Sequence, residues 1–134
     1  MSGTTAYCWG FNDSGQLGDG STSDSAGPAQ VSGGIPFAAV SAGVGHSCGV
    51  SASGAAFCWG LDFFGQLGDG TTSTTPTPVV VAGAHAFKVV SAGGGHTCAV
   101  TTDGAVYCWG LNSYGELGNG SGNSSPVPVR VITP

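Results

Sequence analysis

Five cysteines and three histidines are the most reactive side chains in this sequence, and most of them recur at a fixed spacing. Cys48 and Cys58 flank Ala52-Ser53-Gly54, and Cys98 and Cys108 flank Thr102-Asp103-Gly104. A short segment closing on Gly suits a three-residue hairpin turn with a left-handed residue at its end. Pairing Ser51 with Ala55 then carries Cys48 to a position opposite Cys58, and the same register sets Cys98 opposite Cys108. Opposed residues of antiparallel strands lie roughly 4.5–5.5 Å apart at Cα, inside the range a disulfide accepts. Two internal disulfides are expected, each worth about 2–3 kcal/mol, and disulfides imply an oxidising compartment. The other reading is two pairs of reduced, buried thiols acting as small apolar groups. Cys8 is left over, and is expected to be unpaired or to form an intermolecular cross-link.

The remaining candidates for chemistry are weaker. His46 with Cys48 and Cys58, and His96 with Cys98 and Cys108, offer three zinc donors each, but no fourth ligand recurs. The Gly-Gln-Leu-Gly-Asp-Gly loops lack the lysine of a phosphate-binding loop. Asp13, Asp19 and Asp24 are too few for calcium, and their counterparts are not maintained. In these loops Gly supplies positive φ and Asp or Asn caps the turn. No Ser/His/Asp set and no buried carboxylate pair is assembled. We therefore expect no metal, no cofactor and no enzymatic activity. His85 falls in a variable segment and is expected to be exposed.

The elements that position these residues follow from a repeat. Cys8-Trp9-Gly10, Cys58-Trp59-Gly60 and Cys108-Trp109-Gly110 recur at a period of about 50 residues. A period in that range is the mark of an array of similar supersecondary units. Each string is followed by a second block, Gly15 to Gly20, Gly65 to Gly70 or Gly115 to Gly120. A Pro/Val segment comes next, at Pro28 to Val31, Pro78 to Val81 and Pro128 to Val131. Val40 to Cys48 is echoed in Val90 to Cys98. Glycine is abundant at 26 residues, and no run has a helical period. Short β-rich runs between turn residues point to an all-β protein.

One unit resolves into four strands: 87–92, 97–101, 105–109 and 127–131. The prolines confine the fourth to a sheet edge. Phe57-Cys58-Trp59 and Tyr107-Cys108-Trp109 are apolar on both faces, as in a sheet covered on both sides. Four strands, a tight central hairpin and a proline-marked outer strand describe a β-propeller blade. The three Trp side chains are expected to fill the space between blades.

Seven acids against Lys88 and Arg130 give a net charge of −5. Two basic residues cannot neutralise a run of phosphates, so neither nucleic acid nor an anionic membrane is an expected partner. No apolar stretch approaches the roughly 18 residues needed to span a bilayer, so no membrane insertion is expected. The first five residues do not read as a signal peptide.

The Gly-x-x-His, the hairpin, Trp-Gly, Gly-Gln-Leu-Gly-x-Gly and the later Pro-x-x-Val together resemble the regulator of chromosome condensation repeat, over essentially the whole chain. The resemblance implies blades of a seven-bladed β-propeller and makes the recurrent histidine a structural donor. The family's best-known eukaryotic member is a nucleotide exchange factor for a small GTPase that also docks on chromatin. Bacterial relatives include secreted inhibitors of β-lactamases. The acidity and the extra cysteines look more like the bacterial, extracellular branch.

The expected organisation is one repeat array: residues 1–33 as the trailing half of a unit, then 34–83 and 84–134 as complete units. This gives about two and a half blades, either an excerpt of a longer propeller or an arc completed by oligomerisation. The expected function is a non-enzymatic scaffold that binds a protein partner of unknown identity through rim loops, with Phe11, Phe63, Phe64 and Tyr114 as candidate contacts. Those aromatics could equally cover the adjacent blade. The alternatives are a self-assembling ring or filament, an exchange-factor-like propeller, or an enzyme inhibitor. Self-association and a secreted or cell-surface bacterial location are expected, with a cytoplasmic location as the alternative.

Overall fold

A computed structural model describes residues 4–132; the first three positions of the segment read for a leader lie outside it. Among these residues, ten strands form three antiparallel sheets. The first sheet pairs β1 (Tyr7–Gly10) with β2 (Ser25–Gln30). The second runs β3 (Phe37–Ala42), β4 (His46–Ser51), β5 (Ala56–Gly60), β6 (Thr75–Val80) in spatial order. The third repeats this order with β7 (Phe87–Ala92), β8 (His96–Thr101), β9 (Val106–Gly110) and β10 (Ser125–Arg130). Two four-stranded meanders and one two-stranded sheet make about two and a half blades of a β-propeller.

The prolines explain the outer strands. Pro76 and Pro78 lie in β6, and Pro126 and Pro128 in β10, both at sheet edges where a missing N–H costs no ladder bond. The central hairpins explain the cysteines. Val50 pairs with Ala56 and Cys48 with Cys58; Val100 pairs with Val106 and Cys98 with Cys108. Each cysteine pair is joined as a disulfide with its Cα atoms 4.0 Å apart, closer than the ordinary strand spacing.

Adjacent blades are held by apolar filling and by a polar seam. The core between the second and third sheets contains Val50, Leu67, Val81, Phe87, Val90 and Trp109, with the Cys48–Cys58 bridge at its centre. A second cluster, Ala6, Val31, Phe37 and Trp59, joins the first sheet to the second. Through this seam, Thr97 Oγ donates to the Gln66 carbonyl at 2.7 Å. The hydroxyl proton being committed there, His46 Nε2 at 2.7 Å must carry the proton it shares with Thr97. His46 is fully buried, and burial pushes its pKa down to about 4. It is a structural group of the seam.

Gly18 and Gly68 show why glycine recurs beside each tryptophan. Both have φ of +75°, and a Cβ at Gly18 would stand 2.7 Å from Trp59 Nε1, one at Gly68 2.6 Å from Trp109 Nε1. The rim loop of one blade therefore lies on the indole of the next.

Two expectations need correction. Trp59 and Trp109 are fully buried between blades, but Trp9 is 64% exposed, because no sheet covers its face among the described residues. His85 is not free in solvent. Its ring stacks on Tyr107 with centroids 4.2 Å apart and also approaches Phe87. The turn that brings it there includes Ala84, at a φ of 53°.

Candidate protein-binding rim

Antiparallel pairing sends both ends of each meander to defined rims. The loops 11–24, 61–74 and 111–124 leave the ends of β1, β5 and β9 on one rim, together with the turns 43–45 and 93–95. The hairpins 52–55 and 102–105 occupy the other rim.

The three long loops share an internal frame. In the first, Asn12 Oδ1 accepts the Leu17 N–H at 2.9 Å, while Nδ2 donates to the carbonyls of Ser21 (3.0 Å) and Ser23 (2.9 Å). Asn112 repeats this with Leu117, Ser121 and Asn123 at 2.9, 2.9 and 3.0 Å. Asp62 holds the same place in the middle loop and accepts the Leu67 N–H at 3.0 Å. Two residues after each loop apex, a second side chain pins the backbone. Gln16 Oε1 accepts from Ser14 N, Gln66 Oε1 from Phe64 N and Glu116 Oε1 from Tyr114 N, at 2.9, 2.8 and 2.7 Å. The Tyr114 N–H holds the Glu116 carboxyl below the usual carboxylate range. Asp19, Asp69 and Asn119 cap the next turn by accepting the N–H two residues on. Sequence reasoning expected the Asp or Asn caps but did not read Asn12, Asp62, Asn112, Gln16, Gln66 and Glu116 as a frame, although Asn12, Asp62 and Asn112 recur at the repeat spacing and could have been found that way.

On this frame the aromatic candidates are separated. Tyr114 is 93% and Phe63 76% exposed at the loop tips. Phe64 is edge-on to Phe63 at 6.1 Å and lies against Gly95 of the next blade. Phe11 lines a groove of about 400 Å3 beside β1 with Tyr7, Cys8, Trp9, Val40 and Val44. The free thiol of Cys8 sits in that groove, where burial pushes its pKa up.

Charge is segregated between the rims. Asp13, Asp19, Asp24, Asp62, Asp69 and Glu116, six of the seven acids, lie on the three long loops. Asp103 sits in the opposite hairpin, and Lys88 and Arg130 lie toward that opposite end of their strands. The loop rim is thus an acidic, aromatic-tipped surface on a rigid base.

This arrangement has little to offer catalysis or metal binding. Cys48, Cys58, Cys98 and Cys108 are committed to disulfides and cannot join His46 or His96 as thiolate ligands. Among the described residues, no group of three or more His, Cys, Asp or Glu converges as a metal site would require. Among the described residues, no helix is long and apolar enough to cross a membrane.

Comparison with known proteins places these features in context. A model described as the regulator of chromosome condensation (RCC1) repeat matches residues 5–50, 53–100 and 103–134, and a second model of that repeat matches 37–66 and 87–116. Human WBSCR16 matches in structure with a TM-score of 0.84 and 28% identity, over 95% of this chain and 33% of that one. Prp20p from Saccharomyces cerevisiae, studied for its binding to Gsp1p and histones, matches with a TM-score of 0.84 and 23% identity over 96% of this chain and 34% of that one. Yeast RCC1 (Prp20) bound to Kap60 matches at 0.76 and 20% over 96% and 33%. A search of curated protein sequences finds no significant match. The chain spans about a third of the length of these structures.

These matches overturn the expected branch. They are human and yeast proteins, not bacterial ones, and the yeast protein is known with Gsp1p, histones and Kap60. The bacterial assignment, the secreted or cell-surface location with its cytoplasmic alternative, and self-association as the mode of partnering are set aside. The physical reason is that the features behind them are local. The cysteines face each other because the hairpin register puts them there, and the acidity comes from turn-capping and rim residues. Neither reports a compartment or a lineage. With the family model matching all three units, the chain belongs to the regulator of chromosome condensation (RCC1) repeat family.

Proposed function

We propose that this chain supplies part of the binding rim of an RCC1-type propeller and docks a folded protein partner of the small-GTPase class, in the manner of an exchange factor and without a catalytic residue of its own. The observation that carries this reading is the loop rim itself. Tyr114 and Phe63 stand out from backbone pinned by Glu116 and Gln66, so aromatic area is presented with little entropy to lose on docking. Binding of Gsp1p by the yeast relative supports a partner of this class.

A second reading, a basic partner such as a histone, is favoured by the charge segregation. A rim with six acids and neither basic residue steers a positively charged surface toward it.

The test titrates this chain against Gsp1p loaded with a fluorescent guanine nucleotide, and separately against core histones, at two salt concentrations. The exchange-factor reading expects saturable binding to Gsp1p, faster nucleotide release, and at least a tenfold weaker affinity for Phe63→Ala and Tyr114→Ala. Histone binding that collapses with salt, with no effect on Gsp1p, selects the second reading. Affinities unchanged by both rim substitutions would remove the rim from either.

A further inference from the structure

The middle rim loop differs from its two siblings at one buried atom. In the first and third loops the Nδ2 group of Asn12 or Asn112 fills a cage of oxygens, donating to two backbone carbonyls at 2.9 to 3.0 Å. The neighbouring Ser21 Oγ is 3.4 Å from Asn12 Nδ2. In the middle loop the cage is rebuilt around Asp62. Oδ1 takes the Leu67 N–H as before, and Oδ2 stands 3.5 Å from Thr71 Oγ, the place the amide nitrogen holds in the first loop. Thr71 directs its hydroxyl mainly to Asp69 at 2.9 Å, which leaves Oδ2 only the long 3.5 Å contact. The equivalents of the two caged carbonyls are those of Thr71 and Ser73. A fully buried, ionised Oδ2 would face them with like partial charge and only that long hydroxyl contact to offset it.

We propose that Asp62 is a proton-operated latch: as the neutral acid it donates to the Thr71 or Ser73 carbonyl the hydrogen bond its amide counterparts donate, and ionisation releases the loop that presents Phe63 and Phe64. One proton supplies one of the two hydrogens the amide donates, so the neutral form restores one of the two carbonyl bonds of the sibling frame. The spacing of the cage, set for N–H···O, also suits O–H···O.

The electrostatic surroundings act in the same direction. Burial raises the Asp62 pKa to about 6, and the Asp69 carboxylate adds to the rise, against the lowering effect of the Leu67 N–H and the Thr71 hydroxyl. The facing blade lays Pro126, Val127, Gly110 and Trp109 against this loop, none of them ionisable. The ionisable residue placed there is His96, whose backbone lies beside Gly110 and Gln66. Among the described residues, no cation acts on Asp62 to hold it ionised.

The inference does not rest on the protein-binding reading, and its test involves no partner. Carbon-13 NMR titration of the wild-type chain is expected to show the Asp62 carboxyl changing near pH 6, with the Leu67 and Thr71 amides and the Phe63 and Phe64 rings following the same midpoint. Asp62→Asn, which restores the sibling frame, is expected to melt higher than wild type at pH 7.5 by clearly more than it does at pH 4. A carboxyl midpoint in the ordinary range near 3.8 overturns the latch. So does a melting difference equal at the two pH values, or aromatic rings that ignore the Asp62 titration.

Discussion

The indole N–H of Trp59 donates to the backbone carbonyl of Gln16 at 3.0 Å, tying the third strand of one blade to the rim loop of the blade before it. Ser47 Oγ donates to the same oxygen at 2.9 Å. At the next junction the geometry is not repeated. Thr97 Oγ takes the Gln66 carbonyl, and Trp109 Nε1 is buried with no partner. Trp59→Phe therefore loses a hydrogen bond, whereas Trp109→Phe discards an unsatisfied donor. After allowance for the similar loss of ring volume, Trp59→Phe is expected to be the more destabilising by about 1 kcal/mol. Urea unfolding of the two variants checks this, and equal midpoints would mean that the indole bond contributes nothing.

The glycine under each indole makes a sharper contrast. Gly18→Ala must hold a side chain at positive φ and push its Cβ into the Trp59 ring. The backbone term alone is about 1–2 kcal/mol, and overpacking adds about 1–3. Gly27, at ordinary φ with no atom near its Cβ, is the control. Gly18→Ala is expected to cost more than 2 kcal/mol and Gly27→Ala to be near neutral. If the two variants unfold together, the loop does not seat on the indole as described.

Much of the architecture was legible because each signal had a local cause. The turns at Gly54 and Gly104 fix the hairpin register, and that register alone sets Cys48 against Cys58 and Cys98 against Cys108. The prolines fix β6 and β10 as edges for want of an N–H. What escaped the sequence was set by contacts between units. Trp9 has the same local sequence as Trp59, yet one is exposed and the other buried, because only Trp59 has a neighbouring loop lying on it. His85 looked like a loop residue until β9 brought Tyr107 beneath its ring. The role of Asp62 needs its sibling amides for comparison, since an isolated Asp in a turn reads only as a cap.

The two disulfides make a further prediction. Each closes a ten-residue separation within one hairpin and limits the unfolded chain to a similar extent. Replacing Cys98 and Cys108 together by Ala is expected to cost about 2–3 kcal/mol. Replacing Cys48 and Cys58 should cost more, because that pair lies wholly inside the core cluster between blades, where the Ala side chains leave a cavity. Denaturant unfolding of the two double variants reads the order. The reverse order would mean that the Cys48–Cys58 pair adds no packing beyond its cross-link.

His46 and Asp62 pull stability in opposite directions over one pH interval. His46 has its folded pKa lowered to about 4 from 6.5, so its contribution is fully present above 6.5 and is lost as pH falls toward 4. Asp62 has its folded pKa raised to about 6 from 3.8, so its contribution is present below 3.8 and is lost as pH rises through 6. Each shift of two units or slightly more corresponds to about 3 kcal/mol. Between pH 4 and 6 the unfolded chain carries the extra proton on His46, and the folded chain carries it on Asp62. The two slopes nearly cancel, and the wild-type chain is expected to show a flat stability profile from about pH 5 to 6, above the range where the lowered carboxyl of Glu116 adds its own acid-side loss. Asp62→Asn removes one slope and exposes the other. Its unfolding free energy should climb by about 3 kcal/mol from pH 4 to 6.5. Adding His46→Gln to Asp62→Asn should flatten the profile again at a lower level, since an amide can still donate to Thr97. A steep wild-type profile, or an Asp62→Asn profile that stays flat, would show that one of the two groups does not keep its folded protonation state in this interval.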